Sequence, residues 1–182
     1  MLTFLRYLLQ LILAPAKGWE DIEASDPDPE LLTRKALYPL TGIAAATEFL
    51  ALFYSRGTGL PEVLMRATAL FGTYFTAVFI ARLIFELYLG RLTTAAPDSR
   101  RTSTMTVCGI GLMVLVRMLE NCLPWNLVLL KFLPIYVVLV LYKAIPYIGV
   151  RRDSELSFTG LAAAAIVGVP LAIYYLLYLI IQ

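Results

Sequence analysis

Glu62–Leu89 reads EVLMRATALFGTYFTAVFIARLIFELYL, with Pro61 just before it. A helix needs about 20 mainly apolar residues to cross roughly 30 Å of hydrocarbon. This stretch is longer, so part of it must tilt or protrude. In lipid, backbone N–H and C=O groups find no water, which leaves only helices and closed barrels as spanning structures. No barrel-type alternation of polar and apolar residues occurs along the chain. The stretch therefore predicts a membrane-crossing helix, and with it an all-α membrane protein.

The same reading extends in both directions. Apolar segments predict five spans, at about 38–54, 62–89, 104–123, 126–145 and 157–181. The first has an amphipathic lead-in from Glu30, and Pro134 should kink the fourth. Turns are expected at Arg56–Gly59 and at the Pro124–Trp125 hairpin, and a polar loop covers Gly90–Ser103.

Composition points the same way. The 182 residues are 60% apolar and 15% charged, with a mean hydropathy of +0.78. A soluble domain carries about 45–50% apolar and about a quarter charged residues. An ordinary cytosolic domain, a disordered tail and a disulfide-stapled secreted module are excluded. A net charge of +2, from 15 basic and 13 acidic residues, is too small to suggest nucleic acid as a partner. The chain has no histidine, which removes Ser-His-Asp hydrolysis, His-metal centres and His proton relays. Cys108 and Cys122 lie about 21 Å apart on one helix, too far for a disulfide.

Residues 1–29 form a separate N-terminal part ahead of a 30–182 transmembrane domain. Thr3, Arg6 and Gln10 make a narrow polar stripe on an otherwise apolar Leu2–Leu13. The segment is too short to span, and it lacks the cationic start of a signal peptide. It predicts a helix lying in the membrane interface, ended by Pro15. Lys17–Glu30 holds Glu20, Asp21, Glu23, Asp26, Asp28 and Glu30 and reads as a solvated linker, without the glycine and terminal glutamate of a calcium loop. Asp28-Pro29 then predicts a capped helix start.

Basic residues set the expected orientation. Arg6, Lys17, Arg34, Lys35, Arg91, Arg100, Arg101, Lys143, Arg151 and Arg152 fall on one side of a five-span chain, and only Arg56 on the other. The positive-inside rule then predicts a cytoplasmic N-terminus and an extracytoplasmic C-terminus.

Three short elements carry a family resemblance. Leu13-Ala-Pro-Ala-Lys-Gly-Trp-Glu-Asp-Ile22 resembles the "P-x-x-x-W-x-x-I" element that opens bacterial members of the Yip-one family. Leu37-Tyr38-Pro39-Leu40 is similar to their "Y-P-L" element, and Leu141-Tyr142-Lys143-Ala144-Ile145-Pro146 to their "L-Y-x-x-x-P" element. The resemblance covers nearly the whole chain and implies five spans, a cytoplasmic N-terminus and, for the bacterial branch, the cytoplasmic (inner) membrane. Eukaryotic relatives interact with Rab-type GTPases through a longer cytosolic region; about 30 residues precede the first span here.

Ionisable residues inside spans are costly and are functional candidates by default. Glu48 lies near the middle of the first expected span, with no basic neighbour on its own helix within that span. Arg82 and Glu86 form an i,i+4 pair in the second, and Arg117 and Glu120 an i,i+3 pair in the third. Lys131 enters the fourth from the outer side. The bland reading has the two intrahelical pairs neutralise themselves and Lys131 snorkel to the surface. The sharper one is a polar pocket in which Glu48 faces Arg117 or Lys131. Gly160, Ala164, Gly168 and Ala172 form a small-residue stripe on the fifth span, for packing within the bundle or against a second copy. Tyr174, Tyr175 and Tyr178 read as an interfacial aromatic belt.

Enzymatic motifs do not occur. All five aspartates, Asp21, Asp26, Asp28, Asp98 and Asp153, lie outside the expected spans, and there is no H-E-x-x-H, G-x-S-x-G or phosphate loop. Gly109-Ile110-Gly111 reads as helix packing. No cofactor or metal is expected. The partners expected are the lipid bilayer and a membrane protein or second copy. The function expected is a non-enzymatic membrane scaffold or interaction component, with a small transporter or channel around Glu48 as the alternative.

Overall fold

A computed structural model describes residues 1–54, 59–94, 96–123 and 128–181. Residues 56–58 of the turn expected at Arg56–Gly59 and the Pro124–Trp125 hairpin lie outside the described residues. Helices follow in the order α1 (Leu2–Leu13), α2 (Pro15–Ser25), α3 (Pro29–Tyr54), α4 (Leu60–Arg91), α5 (Ser99–Cys122), α6 (Leu130–Tyr142), α7 (Ile145–Ile148) and α8 (Arg152–Leu177). Among the described residues the only β-pairing is a single antiparallel bridge, Thr93 to Val150. Helices α3, α4, α5 and α8 are long and apolar enough to cross a membrane. Helix α6 is apolar but shorter, and the start of the span expected at 126–145 falls outside the described residues.

Two aspartates start two of the long helices. The Asp28 carboxylate accepts the N–H of Glu30 at 2.9 Å and of Leu31 at 3.4 Å, with Pro29 at the first helical position. The lead-in is thus continuous with the first span, through a π-helical turn at Thr33–Leu37. Asp98 accepts from the N–H of Arg100 at 2.8 Å and of Arg101 at 3.4 Å. Helix α5 therefore begins ahead of the expected 104, and Arg100 and Arg101, expected in a loop, sit in its first turn.

Helix α5 is the central one. Every residue from Thr104 to Val114 is buried, whichever way it faces, against α1, α3, α4, α6 and α8. Two glycines permit this. At Gly109 a Cβ would stand 3.0 Å from Ile166 Cγ2 of α8 and 3.2 Å from Leu141 Cδ2 of α6. At Gly111 it would stand 2.8 Å from Phe4 Cζ of α1.

The N-terminal region departs from expectation in two ways. Helix α1 forms, with Thr3 and Arg6 exposed, but one apolar edge, Phe4, Leu8 and Leu11, is buried against protein. Leu2, Leu9 and Leu13 make a second, exposed apolar edge. The acidic stretch expected as a solvated linker is largely helix α2. Trp19 and Ile22, three residues apart, give it an inward edge between the acids. Trp19 Nε1 donates to Val140 O at 2.9 Å, and its ring stacks on Tyr147 at 5.4 Å. Val140 lies in the last turn of α6, where helix carbonyls lack partners of their own. The acids face a basic surface: Glu23 pairs with Arg101 at 2.8 Å and Asp26 with Arg100 at 3.3 Å. These pairs are exposed and contribute little each; burial of Trp19 is the larger effect.

The loops on either side of the Thr93–Val150 bridge close the same end of the bundle. Arg151 N–H donates to Leu92 O at 3.0 Å, and Gly149, at φ 76°, ends α7 in the left-handed region. We refer to this as the basic end, and to the end where α3 and α5 finish as the far end.

Of the two roles expected for the stripe on α8, packing within the bundle is not the one it takes. Gly160, Ala164, Gly168 and Ala172 all face outward and do not pack within the described bundle. Phe158, Ala162, Ala165 and Ile166 take the inward face. The close-approach residue is supplied by α5 instead, because Gly109 receives Ile166. A π-helical turn at Ala164–Gly168 also rotates the face downstream of it.

Candidate functional site

Arg117, near the end of α5, is the centre of a polar cluster at the far end of the bundle. Its Nη1 donates to Glu120 Oε2 at 3.1 Å, and its Nη2 to Glu48 Oε1 at 3.3 Å and to Tyr174 Oη at 3.2 Å. The guanidinium also lies over the Tyr174 ring, 5.1 Å from its centroid. Side chains of α3, α5 and α8 thus meet on one cation. Glu48 is only 5% exposed, so its charge needs this partner.

Each helix positions its residue for a local reason. Glu48 starts a tight 3₁₀ turn, Glu48–Leu50, within α3. Glu48 lies roughly 9 Å by helical rise from the far end of α3. Arg117 and Glu120 are three apart and share a face of α5. One turn on, Asn121 Nδ2 donates to Thr47 Oγ1 at 3.1 Å, and Tyr54 Oη donates to the Asn121 carbonyl. The α3–α5 seam is therefore tied at three successive points.

A cavity of about 80 Å³ opens beside the cluster. Arg117, Glu120, Tyr174 and Thr73 of α4 line it, together with Pro134 and Pro170. It is large enough to admit water. Thr73 is buried and its Oγ1 has no partner. Neighbouring Tyr74 has its hydroxyl engaged, donating to Met113 O at 3.2 Å.

The six ionisable candidates divide into three sets. Glu48, Arg117 and Glu120 are brought together. Arg82 and Glu86 lie near the basic end, and they do not pair as expected: Arg82 Nη2 donates to Thr33 Oγ1 of α3 at 2.8 Å, while Glu86 is exposed. The tertiary neighbour captures the arginine ahead of the i,i+4 partner. Lys131 is exposed and forms no ion pair among the described residues. Among the described residues no group of three or more His, Cys, Asp or Glu could hold a metal ion.

Sequence reasoning missed Tyr174, Asn121, Thr47 and Thr73. Tyr174 was expected in an aromatic belt with Tyr175 and Tyr178; Tyr175 is strongly exposed, whereas Tyr174 is half-buried and turns to Arg117. Helical spacing from Arg117 picks out Asn121, four residues on. Nothing local marks the others, because their roles depend on which helix faces them.

Comparison of the chain with protein-family models, with curated proteins and with solved structures finds no match.

Proposed function

We propose that this protein is a five-span integral membrane protein of the bacterial cytoplasmic membrane, resembling the Yip-one family, that acts as a non-enzymatic scaffold or interaction component. The observation that carries this reading is the Glu48–Arg117–Glu120 cluster. Three ionisable groups are spent on one another and on joining α3, α5 and α8. Buried charges used in this way hold helices in one arrangement.

Two further observations support the fold part of the proposal. The apolar helix α6 ends at the basic end, where Trp19 meets Val140, and this supports counting it as part of a fifth pass. The Trp19 of one family-like element also stacks on Tyr147, next to Pro146 of another. The positive-inside bias assigns the basic end to the cytoplasm, with the C-terminus outside.

The second reading is a small transporter or channel, favoured by the cavity beside Arg117 and the unpartnered Thr73 hydroxyl. Reconstitution into liposomes separates the two. The scaffold reading expects no solute or ion flux above lipid background, and a stable partner recovered by affinity purification from native membranes. Flux that disappears in Glu48→Gln would replace the scaffold by a transporter.

A further inference from the structure

A second cavity, of about 170 Å³, lies at the basic end between α4 and α5. Arg82 and Glu86 line it from α4, and Ser99, Thr102 and Ser103 from the first turns of α5. Phe85 and Leu89 supply apolar wall. Three features single it out. Arg82 is held in place by Thr33, whose own hydroxyl is spent on Pro29 O at 2.7 Å. Its Nε is buried without a partner, so the guanidinium is short of acceptors. Glu86, one turn nearer the helix end, lines the same cavity but leaves Arg82 unpaired.

A cation and an anion that share a cavity without neutralising each other fit a ligand carrying both charges. Depth agrees with that. By helical rise Ser99 lies about 17 Å and Ser103 about 11 Å from the midpoint of α5, and half the hydrocarbon thickness is about 15 Å. With the midpoint of α5 at the bilayer centre, the cavity straddles the boundary between acyl chains and head groups. We propose that it binds a phosphoethanolamine group, with the phosphate on Arg82 and the serine hydroxyls and the primary ammonium on Glu86. The arginine is the phosphate anchor because its planar donors match phosphate oxygens. The carboxylate sets preference: it attracts an ammonium that can donate hydrogen bonds, and repels a purely anionic head group.

The test uses the full chain in mild detergent, titrated with short-chain phosphatidylethanolamine, phosphatidylcholine and phosphatidylglycerol, and separately with soluble phosphoethanolamine. Native mass spectrometry reads the bound ligand. Phosphatidylethanolamine should bind tightest, and Arg82→Gln should weaken it by at least about tenfold. Glu86→Gln, at an exposed position, should cut the preference for phosphatidylethanolamine over phosphatidylglycerol by about fivefold. Soluble phosphoethanolamine competing as well as the lipid identifies a free headgroup ligand; failure to compete identifies the membrane lipid. The proposal is overturned if phosphatidylglycerol binds as tightly as phosphatidylethanolamine, if Glu86→Gln leaves their ratio unchanged, or if none of the four ligands is retained. Should Arg82→Gln not fold, the Glu86→Gln ratio alone decides. None of these readouts depends on whether the chain transports a solute or holds a partner protein.

Discussion

Glu48 shows how one buried carboxylate can organise its surroundings. At 5% exposure it has little water to stabilise its charge, and Arg117 at 3.3 Å supplies the compensation. Removing one partner of such a pair costs about 3–5 kcal/mol when the other is left uncompensated. Here Glu120 still faces Arg117, so Glu48→Ala should lose about 3 kcal/mol or less. Glu48→Gln should lose less than that, because an amide oxygen can still accept from the guanidinium. Thermal unfolding in detergent measures both, and the loss should shrink when Arg117→Gln is already present. Strictly additive effects would mean that the 3.3 Å contact contributes nothing.

At the scale of elements, the docking of α1 on α5 rests on the absence of a side chain at Gly111. Its would-be Cβ lies 2.8 Å from a buried Phe4 ring, which cannot move without disturbing the core. Alanine at a helix interior gains about 1 kcal/mol over glycine, while overpacking costs about 1–3 kcal/mol. Gly111→Ala should therefore destabilise, and Gly111→Val more so, with faster proteolysis within residues 1–25. Gly72, on α4, is the control, since nothing lies within 4 Å of its would-be Cβ. Gly72→Ala should be neutral or stabilising by up to about 1 kcal/mol. Equal behaviour of Gly111→Ala and Gly72→Ala would show that the α1–α5 contact is loose.

At the scale of the whole molecule, the number of passes decides where the chain ends. Four crossings from a cytoplasmic N-terminus return the C-terminus to the cytoplasm, and five leave it outside. Helix α6 is about 20 Å long by rise, short of the hydrocarbon thickness on its own. The segment 124–142 spans only if the residues before Leu130 extend it. A reporter active outside the cytoplasm should work when fused after Gln182 and fail when fused at Asp98. The opposite pattern rules out five spans with this orientation.

Composition and run length sufficed to establish an all-helical chain with apolar helices long enough for a membrane. Those properties are one-dimensional: an unbroken apolar run in lipid has no other way to satisfy its backbone. Helix starts were partly legible, since Asp28-Pro29 acts through its own neighbours, whereas the Asp98 cap brought α5 forward beyond its apolar run. The candidate site was half legible. Spacing and burial cost marked Glu48, Arg117 and Glu120, but only the fold supplied Tyr174 and Asn121 and sent Arg82 to Thr33 rather than Glu86. The acidic stretch became α2, and the small-residue stripe of α8 turned outward, for a common reason. Which face of a helix is buried depends on what lies opposite it, here Val140 and Tyr147 for Trp19 and Gly109 for Ile166. That information resides in residues more than fifty positions away, and only tertiary packing brings them together.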